Sequence, residues 1–335
     1  MTHSARPLNF DPAALDEDAA ALLPRLASSD AAVRRIALIE LADLEDEGLI
    51  EPIAAALRDD AADPVRAEAA RLLGAWERDD VVEALCGALV DPSREVREAA
   101  AHSLAETKHA QSGAILTRWS THADAFVRSA VLRALRELRY AGAFDPAMFA
   151  LSDDDATVRL EAVGVLGWLK DERAVPALTA LTATEPNAQI RRAAIGALGF
   201  AAAAHAPEAR VVDALLGALR DAAWQVREEA AATLGKLQAQ PARDALIAAL
   251  DDEYWQVRLQ AARALGKLRD ATASEPLAAL LAHAISNLRK EAALALGEIG
   301  TRSALPALQA AASDADPEVR KAVRIALAQI DTSNR

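Results

Sequence analysis

Ten arginines recur along the sequence at nearly equal intervals, and each directly follows an aliphatic residue. The intervals between them are 32, 31, 31, 31, 32, 36, 31, 31 and 31 residues. An acidic turn precedes most of them, as in Asp91-Pro92 and Asp316-Pro317. Because a guanidinium can bind a carboxylate through two parallel hydrogen bonds, we expect an architectural ladder of ion pairs within or between neighbouring units. The ladder residues are Arg34, Arg66, Arg97, Arg128, Arg159, Arg191, Arg227, Arg258, Arg289 and Arg320.

Few other residues have types and spacings that suit chemistry. The six histidines are His3, His102, His109, His122, His205 and His283. We find neither a common register nor a converging spacing among them, and His102 with Glu106 has the spacing of a surface pair on a helix. The single cysteine, Cys86, lies in an apolar stretch, where we expect inert packing. With no glycine-rich phosphate loop either, we predict no catalytic residue, no metal site and no cofactor.

Length and composition indicate which elements position these residues. The chain has 335 residues, more than the roughly 250–300 at which one hydrophobic core stops growing. It is 52% hydrophobic but only 4% aromatic, and its apolar residues are mainly alanine and leucine, which favour helices. No apolar run is long enough to cross a membrane, and the first residues lack the apolar stretch of a secretory signal. We therefore expect a cytoplasmic protein with no membrane partner.

Each unit is predicted to contain two short helices, A and B. If the aliphatic residue before each arginine is position 0, positions 0, 4, 7, 8 and 11 are apolar or small and share one stripe of helix B. No helix pair can bury such a stripe alone, so the pairs must stack. Position 9 is glycine in six units, at Gly74, Gly167, Gly199, Gly235, Gly266 and Gly297. Because glycine inside a helix costs about 1 kcal/mol relative to alanine, its recurrence predicts close approach between neighbouring units.

The pattern D-P-x-V-R-x-x-A-A-x-A-L-G resembles the short HEAT-like repeat of the phycobilin-lyase type; it is clearest at 226–237 and 257–268. The resemblance covers residues 19–330. It implies an all-α, right-handed α-solenoid of about ten two-helix repeats, with helix A on the convex face and helix B on the concave face. The family includes scaffolds, chromophore lyases, a di-iron hydroxylase and DNA-binding glycosylases, so function does not follow from fold. The di-iron members use His-Glu dipeptides, and this sequence contains none.

We predict three segments: an irregular acidic N-terminal segment (1–18), the solenoid (19–330) and a tail (331–335). Repeats 6 and 7 are separated by a longer connection at 201–210, which is either a bending point or a surface insertion. The net charge is -13, and residues 1–63 carry 14 acids and 5 bases. This acidic end is either a cap of the solenoid or a surface that attracts a basic partner.

Positions 2, 3, 6 and 10 are predicted to lie on the arc of helix B that faces away from the core. Position 10 changes along the array from acidic to aromatic to basic: Asp43, Ala75, Glu106, Glu137, Trp168, Phe200, Lys236, Lys267, Glu298 and Gln329. Gly164 and Gly196 stand four residues before the two aromatic residues, which predicts a shallow groove beside each ring. Trp224, Tyr254 and Trp255 form a second aromatic group at the turns before helix B; they either extend the site or cover repeat junctions.

Exposed aromatic residues flanked by charges are typical of interaction hot spots. We therefore predict a non-catalytic scaffold that binds a protein or peptide through the helix-B face of repeats 5–8. The predicted contact residues are Trp168, Phe200, Trp224, Tyr254, Trp255, Lys236 and Lys267. The resemblance leaves a bilin-lyase-like enzyme or a maturation factor for a cofactor enzyme as the alternative. Nucleic-acid binding is a third possibility that the net charge of -13 disfavours, because phosphates must be neutralised by basic side chains.

Overall fold

The structure is a computed structural model that describes residues 17–202 and 208–333. Within these ranges the chain contains twenty α-helices, ten short 3-10 helices and no strand. The α-helices are α1 (Glu17–Leu22), α2 (Ala31–Ala42), α3 (Ile50–Asp59), α4 (Asp63–Leu73), α5 (Asp79–Ala88), α6 (Arg94–Ala105), α7 (Ser112–Trp119), α8 (Ala125–Glu137), α9 (Phe144–Ala150), α10 (Ala156–Leu169), α11 (Val175–Thr184), α12 (Ala188–Ala201), α13 (Ala209–Ala218), α14 (Trp224–Lys236), α15 (Arg243–Ala248), α16 (Trp255–Leu268), α17 (Ser274–Ala279), α18 (Ser286–Ile299), α19 (Leu305–Ala310) and α20 (Pro317–Ser333).

The predicted all-α solenoid of helix pairs is confirmed. Odd-numbered helices are the A helices, and even-numbered helices are the B helices, each of which carries one ladder arginine. The 3-10 helices precede or extend several A helices, at Leu23–Ala27, Glu47–Leu49, Ala141–Ala143, Glu172–Ala174, Gln240–Ala242, Ala249–Asp251, Ala271–Ala273, Leu280–Ala282, Arg302–Ala304 and Ala311–Ser313. None of the helices in the described ranges is long and apolar enough to cross a membrane.

Proline and side-chain caps explain where many of these helices start. Pro176 and Pro306 occupy the first turn of α11 and α19, where the missing N–H has no helical partner to lose. At the start of α2, α8 and α12, Asp30, Asp124 and Asn187 each accept a hydrogen bond of 2.8 Å from the N–H two residues ahead. At these three B helices the sequence therefore sets the start of the helix locally, before any packing.

The chain divides into two compact units, Met1–Val165 and Leu166–Arg335. In the first unit, α2, α4, α6 and α8 pack in succession, and α3, α5 and α7 form a second row. In the second unit, α12, α14, α16, α18 and α20 pack in succession, and α11 packs on α13. Helix B therefore contacts helix B of the next repeat within each unit, as stacking of the helix pairs requires.

The core of each unit is the predicted stripe on the B helices. Position 8 is leucine in both units and at most 1% exposed at Leu41, Leu73, Leu104, Leu135, Leu198, Leu234, Leu265 and Leu296. The recurrent glycines lie where neighbouring B helices come closest, as predicted. A Cβ atom on Gly235 would lie 2.7 Å from Cα of Ala264, and one on Gly266 would lie 2.9 Å from Cα of Ala295. Alanine at these positions would therefore push adjacent repeats apart.

Several predicted boundaries fall at the edges of the described ranges. Residues 1–16 of the predicted N-terminal segment lie outside them, as do residues 203–207 of the 201–210 connection. The connection does not lengthen the B helix before it, since α12 ends at Ala201 after 14 residues, the same length as α16 and α18. The last helix reaches Ser333, three residues beyond the predicted end of the solenoid at 330.

Candidate functional site

Among the described residues, at least six ladder arginines bind a carboxylate in the turn of the following repeat. The Arg227 guanidinium donates from Nε and Nη2 to the two oxygens of Asp252 at 2.7 and 2.9 Å. The same two-bond geometry occurs at Arg34–Asp60, Arg66–Asp91, Arg128–Asp153, Arg191–Asp221 and Arg289–Asp314. Each pair joins two adjacent repeats of one unit, so these arginines are engaged in holding the stack together.

The same arginines also hold the turn of their own repeat. Arg227 donates from Nη1 to the carbonyl oxygen of Asp221, which in turn binds Arg191 through its side chain. The arginine hydrogen bonds lower the pKa of the carboxyl groups that accept them, and this is the largest effect at Asp60, Asp153, Asp221 and Asp314. Each ionised aspartate therefore stabilises the folded state. This stabilisation is lost only when the pH falls toward the lowered pKa of the folded protein.

Two histidines occupy the carboxylate position, which corrects the prediction that no histidines share a register. His122 and His283 each stand five residues before position 0, where six repeats have aspartate, repeat 6 has Glu185 and repeat 1 has Ser28. Their Nδ1 atoms accept hydrogen bonds from Asp124 N–H and Ile285 N–H at 3.1 and 3.0 Å, as the aspartates do from the corresponding N–H groups. At these two junctions the turn keeps its shape, but the side chain facing the ladder arginine carries no fixed negative charge.

The arginines at these two junctions have different partners. Nη1 of Arg258 lies 3.2 Å from Nε2 of His283, and Nε of Arg258 donates to the carbonyl oxygen of Asp252. Arg97 lies over the ring of Phe126, 5.2 Å from its centroid, and its buried Nε has no hydrogen-bond partner within the described ranges. The remaining two arginines, Arg159 and Arg320, donate to carbonyl oxygens of their own turns.

A second layer of ion pairs crosses between B helices at position 3, which the sequence analysis placed on the outer arc. Glu161 is only 6% exposed and accepts hydrogen bonds from Arg133 and Arg136 at 2.9 and 2.7 Å. Glu291, 8% exposed, accepts from Arg263 at 2.9 and 3.0 Å. Because these two glutamates face the neighbouring helix, position 3 belongs to the repeat interface in their repeats, whereas Ile36, at position 3 of repeat 1, is 45% exposed.

Phe200 is the centre of an exposed aromatic and basic cluster at the C-terminal ends of the B helices. Its side chain is 49% exposed, and Nζ of Lys236 lies 3.1 Å from its ring centroid. Nζ of Lys170 approaches the same ring at 5.5 Å. Partial burial lowers the pKa of Lys236, and the positive charges of Lys170 and Lys267 lower it further. The ring therefore lies in a cation–π arrangement with two ammonium groups.

Trp168 holds the position equivalent to Phe200 in the preceding repeat and is 40% exposed. The groove predicted beside each ring is occupied, and that prediction is wrong. A Cβ atom on Gly164 would lie 3.0 Å from Nη1 of Arg136, and one on Gly196 would lie 3.3 Å from Oε1 of Glu229. The long side chains that join adjacent B helices cover both glycines, so the exposed rings stand on a surface rather than beside a cleft.

The second predicted aromatic group lies at the opposite ends of the B helices. Trp224 stacks on Tyr254 of the next repeat, with ring centroids 5.5 Å apart and an angle of 15° between the planes. The guanidinium of Arg227 lies over the Tyr254 ring at 5.7 Å. Trp255 is 37% exposed beside them. These rings therefore contact one another and the ladder across a repeat junction.

The predicted contact residues thus form two separate sets. Trp224 and Lys236 begin and end α14, and at 1.5 Å per residue they are about 18 Å apart along its axis. The ridge set contains Trp168, Phe200, Lys236 and Lys267, and the turn set contains Trp224, Tyr254 and Trp255.

Sequence reasoning missed Lys170 and Phe149. Lys170 lies two residues after Trp168, outside the helix-B numbering, because it follows the end of α10 with a positive φ of 54°. Phe149, on helix A of repeat 5, is 72% exposed, more than any other large apolar residue in the described ranges. The sequence offered no distinct signal for Phe149, because α9 also contains Phe144 and Met148, whereas proximity to Trp168 was the signal for Lys170.

The residues considered for other chemistry are dispersed. Cys86 is fully buried, and burial raises the pKa of its thiol. His102 lies 3.5 Å from Glu106 on the surface of α6, the predicted helical pair. In the part of the chain that the structure describes, no three histidine, cysteine or acidic side chains are grouped to hold a metal ion. His3 and His205 lie outside the described residues.

Comparison with protein families finds repeats of one type along most of the chain. The family model described as HEAT repeats matches residues 50–136, 114–199, 212–285 and 280–334. No curated protein matches the sequence.

Several solved structures are similar in fold. An engineered protein is 22% identical with a TM-score of 0.54, and the alignment covers 94% of this chain and 99% of that one. The YibA protein of E. coli is 19% identical with a TM-score of 0.60, over 82% of this chain and 98% of that one. Importin beta is 17% identical with a TM-score of 0.63; 92% of this chain aligns with only 50% of importin beta. At these identities the likeness concerns the fold alone.

Proposed function

The chain belongs to the HEAT-repeat family, and we propose that it is a non-catalytic scaffold that binds a protein or peptide partner. The proposed surface is the helix-B face of repeats 5–8, which the resemblance to phycobilin-lyase-type repeats makes the concave face. The observation that carries this proposal is the exposure of two large rings, Trp168 at 40% and Phe200 at 49%, at the same position of consecutive repeats.

Exposed aromatic rings in register favour binding over packing. Position 10 is charged, polar or small in the other repeats, so the helix stack does not require an aromatic side chain there. A ring that is 40–49% exposed forgoes roughly half of the 1.5–3 kcal/mol that full burial of a large apolar side chain contributes. A partner that covers Trp168 and Phe200 would recover that free energy, and aromatic residues at the centre of an interface commonly dominate its affinity.

We assign the ridge set to the partner and give the turn set a smaller part. Lys236 and Lys267 stand beside the rings and can orient a partner by charge. Trp224 and Tyr254 stack on each other across a repeat junction, which accounts for their presence without a partner. Trp255 remains as a peripheral contact in this proposal because 37% of it is exposed at that junction.

The test compares partner binding by the Trp168→Ala/Phe200→Ala variant with binding by the original protein. Proteins captured by both baits are quantified, and those lost with the variant are purified and titrated by calorimetry. Each substitution should cost at least about 1–2 kcal/mol of binding free energy, because hot-spot aromatics contribute about that much. Helicity measured by circular dichroism should not change, because neither ring belongs to the buried core.

Phe149→Ala is the matched control, since it also removes an exposed phenylalanine, from helix α9. It should leave partner binding unchanged. Equal binding by the double variant and the original protein would refute the proposed surface.

A further inference from the structure

Three of the six lysines in the chain belong to one small region of the second unit. Lys170 and Lys236 lie over the Phe200 ring at 5.5 and 3.1 Å, and Lys267 holds the position of Lys236 in the next repeat. We call Trp168, Lys170, Phe200, Lys236 and Lys267 the lysine–aromatic cluster. It is a concentration of positive charge in a protein whose net charge is -13.

The lysines of this cluster form no ion pair within the described residues, and the nearest carboxylate influence is the charge of Glu229 on Lys236. In residues 17–202 and 208–333, no carboxylate lies within 4.0 Å of the ammonium group of Lys170, Lys236 or Lys267. Arginines on the same helices are paired, as Arg192 is with Glu229 and Arg263 with Glu291. Partial burial and then the positive charges of Lys170 and Lys267 lower the pKa of Lys236, against an opposing effect of the Glu229 carboxylate. An anion at the cluster would relieve the repulsion between these positive charges.

We propose that the lysine–aromatic cluster binds an acidic linear segment of a partner protein. Carboxylates of the segment would pair with the three lysines, and an apolar side chain would lie against the Phe200 and Trp168 rings. This inference rests on the proposed scaffold function and adds the charge of the partner. The charge complementarity is specific to this surface, since position 10 is acidic in repeats 1, 3 and 4, at Asp43, Glu106 and Glu137.

The dimensions of the cluster suit a short peptide. Its residues come from four consecutive B helices, or from the loop directly after one, between Trp168 and Lys267. With neighbouring helices about 8–10 Å apart, the cluster extends over roughly 27 Å. An extended chain spans about 3.3 Å per residue, so a segment of about eight residues reaches from one end to the other.

Acidic side chains bound the cluster and favour a peptide over a nucleic acid. Glu229 lies in the same repeat as Lys236 and Glu298 follows Lys267 at position 10 of the next repeat. Glu229 lies on α14 together with Lys236, whereas Glu298 lies on α18, the B helix after that of Lys267. The Glu298 carboxylate approaches Gly266, the residue before Lys267. A nucleic acid carries a phosphate at every nucleotide and gains affinity from an unbroken basic track, whereas a peptide can place a few carboxylates on three lysines.

The experiment selects peptides without assuming their sequence. A random nonapeptide library displayed on phage is enriched on the full chain, and peptides that also bind the Trp168→Ala/Phe200→Ala variant are removed. The enriched peptides should contain at least two more acidic than basic residues and an aromatic or aliphatic side chain. Their affinity should fall as salt is raised, because the attraction between exposed charges is screened.

Charge-matched variants then test the lysines directly. Lys170→Gln/Lys236→Gln/Lys267→Gln should weaken an enriched acidic peptide at least tenfold. The control, Lys108→Gln/Lys290→Gln/Lys321→Gln, changes the other three lysines and the net charge equally, and it should leave affinity within twofold. Circular dichroism of both variants checks that the helices are retained.

Each other outcome overturns a defined statement. Enriched peptides that depend on Trp168 and Phe200 but lack acidic excess would overturn the acidic partner and leave the scaffold proposal standing. No enrichment that depends on these two rings would overturn both. A fluorescent dT nonamer that binds the original chain more tightly than the best peptide, and loses this with the lysine variant, would replace the peptide by a single-stranded nucleic acid.

Discussion

The two ends of the B helices in the second unit use similar residue types to opposite effect. At the start of α14 and α16, aromatic rings and basic side chains contact one another: Trp224 stacks on Tyr254, and Arg227 binds Asp252. At the other end of α12 and α14, Phe200 is half exposed and Lys236 has no carboxylate partner in the described ranges. Residue composition does not separate these two regions, whereas the presence of a carboxylate beside the basic side chain does.

The difference follows from repetition. An arginine–carboxylate pair at the turn recurs in both units because every junction between repeats poses the same packing problem. The lysine–aromatic cluster occurs once, so the stack does not need it. We therefore expect substitutions at the turns to change stability, and substitutions in the cluster to change binding.

Acid should produce the largest loss of stability, because it titrates all the carboxylate junctions together. The pKa of Asp60, Asp153, Asp221 and Asp314 is lowered in the folded protein, chiefly by the hydrogen bonds of their arginines. Their contribution is therefore fully present above the unfolded pKa of about 3.9 and is lost as pH falls below it toward the folded values. Urea denaturation at pH 7, 5, 4 and 3 should show little change between 7 and 5 and a steep fall below 4. A fall that is complete by pH 5 would contradict this account.

Two basic residues of the same helix provide the next comparison. Arg227→Ala should lower the free energy of unfolding by about 1–3 kcal/mol, because it leaves Asp252, whose side chain is 12% exposed, without its main partner. Lys236→Gln should change that free energy by less than about 0.5 kcal/mol, because the ammonium group has no such partner. Urea denaturation at pH 7 measures the free energy of unfolding of both variants. Equal decreases in the two variants would contradict the proposed difference between the two helix ends.

Changing a histidine junction should produce the smallest effect, and in the stabilising direction. His283→Asp would place a carboxylate opposite Arg258, as Asp252 stands opposite Arg227. The His283 side chain already accepts the N–H of Ile285, and an aspartate carboxylate at this position can accept the same N–H. We expect a gain of about 1 kcal/mol at pH 7, typical of a charge-assisted hydrogen bond, in urea denaturation.

Asp252→His is the reverse substitution at a carboxylate junction and should be destabilising. The prediction assumes that His283 fills the position of the aspartate but lacks its charge. If His283→Asp also lowers the free energy of unfolding, that assumption is wrong.

Much of the fold was predictable because its determinants are local and repeated. The interval of about 31 residues, the apolar stripe and the glycines at position 9 are readable from the sequence, and Gly235 against Ala264 shows why the glycine recurs. The ladder arginines were equally visible. Their partners required structure, because the carboxylate that receives Arg227 is contributed 25 residues later by another repeat.

The candidate site was predictable in part. Trp168, Phe200, Lys236 and Lys267 could be placed in one row because they share position 10. Lys170 could not, since it reaches the Phe200 ring from a residue with positive φ beyond the end of α10. The grooves predicted at Gly164 and Gly196 were wrong because long side chains from neighbouring helices cover those glycines. Position numbers along one helix predict which residues share a face of that helix. They do not predict which side chains of the neighbouring helix cover that face.

The sequence by itself determined the architecture: helix pairs that recur about every 31 residues, the side of each B helix that is buried, and the arginines that join one pair to the next. These properties depend on helical periodicity and on turns, which act over a few residues. Only the tertiary structure decided which side chains stay exposed or lack a carboxylate partner, as at Phe200 and Lys236, and which stack on a ring of the next repeat, as at Trp224 and Tyr254. That outcome depends on distances between residues about 30 positions apart, which are set when the repeats stack.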